Sequence, residues 1–153
     1  MEDVCEIQSG KDIYERDRVE GMTPYITATA NQNGIGYFIG NDNATLESEC
    51  LSVNRNGSVG YSFYHDYPAL YGNDTRKLRL RFKSKYVGLF ISRVITNQRE
   101  KYGYGYKMGT ARLKRQKIML PVKEDDSIAY EYMIDQMKWL EFKEIYHILT
   151  TIR

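Results

Sequence analysis

The twelve glycines of this chain all lie at or before position 109, its last proline is Pro121, and residues 122–153 contain neither. The chain before that point is cut by turns and suits short strands, whereas the chain after it can run as uninterrupted helix. At 153 residues it is long enough for one domain with a proper core. The expected class is therefore α+β: a mixed, mainly antiparallel sheet body with one internal helix, then a C-terminal helical region. The boundary is drawn between 123 and 124. At the junction, Met108 to Ala111 reads as a small-residue turn. It opens a basic run (Arg112, Lys114, Arg115, Lys117) that ends in a short apolar strand, Ile118 to Leu120.

Within the body, Val4 to Gln8 reads as a first strand and the polar run Asp12 to Glu20 as a loop. Strands are expected over Pro24–Thr29 and Gly36–Ile39, with turns at Asn31–Gly34 and Gly40–Asn43. Cys50–Arg55 and Ser58–Tyr64 flank Asn56-Gly57, a pair that takes the positive φ angles of a tight hairpin turn. Lys77–Phe82 alternates at period two, which sends Leu78, Leu80 and Phe82 inward and Lys77, Arg79 and Arg81 outward. Ser84 is positioned to cap a helix with Val87, Phe90, Ile91, Val94 and Ile95 on its buried side and Ser92, Arg93 and Thr96 on its polar side. A terminal helix runs from Asp126 or Ser127, its expected N-cap. It carries one stripe of Tyr130, Met133, Met137 and Leu140 and a second of Phe142, Ile145, Leu149 and Ile152. The phase break between them predicts two helices, or one whose buried face shifts around Trp139.

Charge is distributed unevenly. Residues 76–117 hold fourteen Lys/Arg and one acid, Glu100, so this segment carries +13, the rest −11 and the chain +2. A segregated field of this kind draws a polyanion to one face. Fourteen tyrosines against five phenylalanines suit a wet binding surface, because tyrosine joins a flat ring to a polar tip. No apolar run reaches the ~20 residues of a membrane span, and the acidic Met1-Glu2-Asp3 start does not resemble a signal peptide. Cys5 and Cys50 lack metal-ligand spacing and read as reduced core thiols of a cytoplasmic protein.

Catalytic patterns are absent from the sequence: it has no nucleophile elbow, phosphate-binding glycine loop or zinc spacing. No cofactor is expected. His147 falls in the terminal helix, while His65 ends a strand and is free to face solvent or a ligand. Nucleic-acid binding is better supplied. Arg reads guanine, and Asn or Gln reads adenine, through paired hydrogen bonds. Three loops carry such groups: Asn31-Gln32-Asn33, Asn54-Arg55-Asn56, and Tyr102 to Arg112 with Tyr104, Tyr106 and Lys107. Lys77, Arg79 and Arg81 are the expected phosphate contacts.

In order and spacing, several short stretches resemble target recognition domains of type I restriction–modification specificity subunits, and the subunits of BcgI-like type IIB systems. They include Ile7-Gln8-Ser9-Gly10-Lys11, Gly21 to Ile26, and Ser52-Val53 through Asn56-Gly57-Ser58-Val59-Gly60 to Phe63-Tyr64, which adds Tyr64 to the candidate contacts. Tyr102-Gly103-Tyr104-Gly105, Leu113 to Gln116, Ile118 to Val122 and Tyr130 to Met133 follow. The resemblance implies a reader of double-stranded DNA that does no chemistry itself. It also implies docking of a DNA adenine methyltransferase subunit, with a restriction subunit as a further partner. Complete subunits carry two recognition domains and two long helices, and this chain has one of each. It is thus a half-subunit that pairs as a homodimer or with a second recognition domain, a fragment, or an isolated module.

Three other classes compete. An RNA- or single-strand-binding protein would use the tyrosines as stacking platforms, and competition between duplex, single-stranded DNA and RNA separates it. An enzyme built on His65 and Asp66 would be disabled by His65→Ala. An interaction module would carry its basic face to an acidic protein.

Overall fold

The computed structural model describes residues 1–103 and 105–151; the expectations for Tyr104 and Ile152 fall outside the described residues. A four-stranded antiparallel sheet has the order β1 (Cys5–Ser9), β7 (Thr75–Leu80), β4 (Cys50–Asn54), β5 (Ser62–His65). A three-stranded sheet has the order β3 (Ile35–Ile39), β2 (Glu20–Ile26), β6 (Leu70–Tyr71). Its β2–β6 pair is parallel and its β2–β3 pair antiparallel, so the class is α+β as expected.

The larger sheet is covered on both faces. On one, Leu51, Val53, Tyr64, Leu78 and Leu80 pack against α1 (Lys85–Thr96), whose Val87, Ile91 and Ile95 are fully buried. Ser84 caps α1 as its type and position predict, its hydroxyl accepting from the Val87 N–H. Gly88 lets helix and strand approach closely, since a Cβ there would lie 2.3 Å from the Tyr64 ring. Tyr64 is therefore a core residue and not an exposed contact. Ser92 and Thr96 are buried too, because the end of α1 runs against β5: the Ser62 N–H donates to Thr96 Oγ1 at 3.0 Å.

The opposite face of the sheet overturns the outward reading of Lys77. That face meets a second apolar cluster, Ile26, Cys50, Ala69 and Tyr71, and Lys77 is only 2% exposed. Its Nζ donates to Glu47 and to the Thr45 carbonyl. Arg79 grips the same Glu47 with Nε at 2.6 Å and Nη2 at 2.9 Å, and reaches Glu6 with Nη1. These hydrogen bonds hold the Glu47 carboxyl at a pKa of about 2. Arg81 is exposed at the far end of β7 and donates to the Glu2 carbonyl. Phe82 is more exposed than the alternation predicts and stacks on Tyr130, centroids 4.2 Å apart.

Three local expectations change. The Asn56-Gly57 hairpin is not a two-residue turn: β5 starts only at Ser62, and Gly57 and Gly60 supply the positive φ angles of a wider loop. Residues 110–115 form a short helix, α2 (Thr110–Arg115), because Leu113 is drawn into the core, while 118–120 pairs with no strand among the described residues. Ser127 does not cap the last helix; its N–H and hydroxyl both donate to Asp125 Oδ1 in a local turn. That helix, α3 (Tyr130–Thr151), is one continuous element. Met133 is buried, and Tyr130 and Ile134 pack against the core; from Trp139 onward its residues are exposed.

Candidate nucleic-acid interface

Strand register brings the candidate loops together. Ser9, Arg76, Val53 and Ser62 lie abreast in the larger sheet, so the chain after β1 and the β4–β5 and β6–β7 connections leave from one end. In the smaller sheet Ile26 pairs with both Tyr71 and Ile35, which brings the 27–34 loop to that end as well. The Ser62–Thr96 bond carries the segment after α1 there too.

Close backbone contacts lock this end. A Cβ on Gly10 would sit 2.0 Å from the Gly72 carbonyl oxygen. The Asn54 amide donates to the Thr29 carbonyl at 2.9 Å, and the Ser58 N–H to that of Ala28 at 3.1 Å. The Arg55 N–H donates to the Asp74 carbonyl, while the Asn56 amide donates to the Asp74 carboxylate. Asn54 is thus wholly buried and structural, which corrects its expected role, and Asn56 has its amide engaged. Of that trio Arg55 keeps a half-buried side chain with no ion pair among the described residues.

The two loops that compete as readers face each other. Asn56, Gly57 and Val59 on one side and Tyr102, Gly103 and Lys107 on the other line a cleft of about 250 Å³. Beside it Tyr102 and Tyr106 stack with centroids 5.7 Å apart, and the Arg112 guanidinium lies 3.7 Å from the Tyr106 centroid. Arg112 is braced further by donating to the Lys107 carbonyl at 2.9 Å. Tyr102 is held in turn by Gln116, to which its hydroxyl donates. Lys107 and Tyr106 are exposed. Asn31 is exposed; Asn33 takes a left-handed φ of 55° and gives its amide to the Tyr67 hydroxyl at 3.0 Å.

A neighbouring hollow of about 320 Å³ is lined by Asp12, Tyr14, Arg18, Tyr25, Tyr37 and Asp74, among others. Arg18 lies 3.8 Å from the Tyr37 centroid, and Tyr14 and Arg16 project from the same segment. Reading 12–20 simply as a polar loop missed this wall; the two arginines and the tyrosine within it were the available signal.

His65 does not face a ligand. It is fully buried between Ser52 and Tyr67, to which its ring nitrogens are hydrogen-bonded, and burial lowers its pKa to about 4. Both cysteines are buried and free, with pKa values pushed by burial to about 12 for Cys5 and about 11 for Cys50. Among the described residues no three His, Cys, Asp or Glu side chains gather closely enough to hold a metal ion, and no helix is long and apolar enough to cross a membrane.

Known proteins resemble this chain in sequence and in fold. The chain is 40% identical over 147 residues to the type II restriction enzyme specificity subunit S.BcgI of Heyndrickxia coagulans; the match covers 95% of the chain and 43% of that subunit. The S subunit of a type I restriction–modification system from M. genitalium superposes with a TM-score of 0.66 at 19% identity, over 98% of this chain and 41% of that one. The HsdS subunit of Thermoanaerobacter tengcongensis gives 0.62 at 11% identity, over 92% and 36%. At such identities the two structures establish the shared fold. The family described as type I restriction modification DNA specificity domain matches residues 1–151, and the chain belongs to that family.

Proposed function

We propose that this chain reads a specific sequence in double-stranded DNA for a restriction–modification complex in the cytoplasm, and leaves methylation and cleavage to other subunits. The observation that carries the reading is the convergence of the loops at one end of both sheets, with Lys107 lining a cleft, Arg112 stacked on Tyr106 beside it and Arg55 next in sequence to its Asn56 wall. Residues 1–123 bind the duplex. The exposed stripe of α3 beyond them, with Phe142, Ile145, Tyr146 and Leu149, docks a methyltransferase subunit and a second recognition unit. A single-strand or RNA binder is less well supported, since Tyr102, Tyr106 and Arg112 already stack on one another.

Selection from a randomised duplex pool tests the reading. One motif should be enriched, and single strands and RNA should compete poorly for it. Within that motif Arg112→Ala should relax discrimination at one base pair by roughly ten-fold or more, as loss of a forked contact worth ~1–3 kcal/mol requires. Arg55→Ala should lower affinity evenly. A pool that returns no motif refutes the reading, and an altered base preference from Arg55→Ala reverses the two roles.

A further inference from the structure

Arg76, the second residue of β7, lies at the loop end of the strand and is 5% exposed. Its Nε donates to Thr110 Oγ1 at 2.7 Å, and its Nη1 donates to the Asn73 and Thr75 carbonyls, both at 2.8 Å. All these acceptors are neutral. Among the described residues no carboxylate forms a salt bridge with it. Contrast Lys77 one residue on, which is as deeply set and has Glu47.

An unpaired guanidinium sunk in protein is costly, and an apolar side chain of similar volume would serve packing better. Burial, followed by the nearby charge of Arg55, lowers the pKa of Arg76, opposed by Asp74. Two arginines therefore share one small region whose own acid does not neutralise them by contact. The third guanidinium nitrogen completes the picture. Nη2 has no partner among the described residues, yet is not among the enclosed unpartnered atoms, so it opens to the surface. Three N–H groups fix the guanidinium plane, and the two on Nη2 are left without a protein partner among the described residues.

Building on the DNA-binding reading, we propose that Arg76 Nη2, with Arg55 beside it, binds a backbone phosphate of the duplex. The phosphate supplies the counter-charge the fold omits, and hydrogen bonds to an ionised acceptor are the strong ones. Because Arg76 also joins the 73–75 turn to the start of α2, its contact fixes the height of the 102–112 loop above the DNA.

The test uses a labelled mixed-sequence duplex and anisotropy across a salt series. Arg76→Gln should weaken binding about ten-fold near physiological salt and flatten the salt slope by ~0.9, the value of one phosphate. Arg76→Lys should restore the slope and only part of the affinity. Thr110→Val, which removes the loop tie and keeps the charge, should leave the slope intact. Since Arg76→Gln removes buried bonds, the wild-type guanidinium ¹⁵N resonances of Arg76 give an independent reading: they should shift as the duplex is added. Unmoved resonances at saturation, or a folded Arg76→Gln with an unchanged slope, overturn the phosphate assignment while duplex binding itself stands. A wild-type chain that binds no duplex at low salt overturns both.

Discussion

Lys77 and Arg79 in β7, and Arg55 in the β4–β5 loop with Arg112 in α2 at the loop end, are cations of the same kind, yet the fold treats them oppositely. The strand pair converges on Glu47, held at 2.5 Å and 2.6 Å, and locks the layer between the two sheets. Among the described residues the loop pair has no carboxylate partner; Arg112 is aligned by a tyrosine ring and a carbonyl, and both of these leave its charge uncompensated. Neutral bracing fixes geometry while keeping the field available to a polyanion. Positive charge in a sequence thus says little about binding until its neighbours are known.

The largest way to break this contrast is Glu47→Ala. It leaves Lys77 buried without a carboxylate and Arg79 without its main partner. Loss of one member of a buried pair costs roughly 3–5 kcal/mol, and Glu47, itself a quarter exposed, belongs at about 3 kcal/mol. Urea unfolding should show that loss, with the DNA salt slope of the folded protein unchanged. A flattened slope would return Lys77 and Arg79 to the DNA surface.

What the sequence made legible was whatever depends on near neighbours. The alternation of 77–82 correctly buried Leu78 and Leu80, and Ser84 correctly began α1, because period and cap are local. The fate of Lys77 depends on Glu47 and on a second sheet folding over that face, information that no window around position 77 contains. The site follows the same rule. Glycine and asparagine marked where loops lie, but side-chain direction within them was hidden. Asn54 turned inward to Thr29, and the 12–18 wall became visible only when Tyr25 and Tyr37 were seen against Arg18.

Acid gives the next largest effect and separates the two sets again. His65 titrates near 6.5 when unfolded and near 4 when folded, so the unfolded chain holds more protons between those values. Stability is therefore full above pH 6.5 and declines as pH falls towards 4. Glu47, held at about 2, is depressed in the same sense, and its contribution is lost below about pH 4.5. Unfolding free energy should fall in these two stages, and His65→Gln should flatten the first. Neither His65 nor Glu47 lines the cleft, so DNA affinity of the folded protein should hold steady from pH 8 to 6. A parallel decline of affinity and stability would tie the cleft to the core charges.

The smallest effect carries the contrast to the backbone of the cleft. Gly57 has a φ of +56°, and a Cβ there would meet the Ala28 carbonyl oxygen at 2.5 Å; Gly103, on the opposite lip, has nothing within 4 Å of its Cβ position. One lip is built against the protein and the other stands open. Gly57→Ala forces a left-handed alanine into a contact the loop must relieve, for about 2 kcal/mol. Gly103→Ala should change unfolding by less than about 0.5 kcal/mol, as substitutions at unconstrained surface positions do. Its consequence should appear in binding instead. If the duplex approaches the Gly103 backbone, one added methyl weakens DNA affinity several-fold while the melting curve stays put. If affinity is unchanged, the open lip is a spacer, and discrimination rests on Arg112 and the residues beside it.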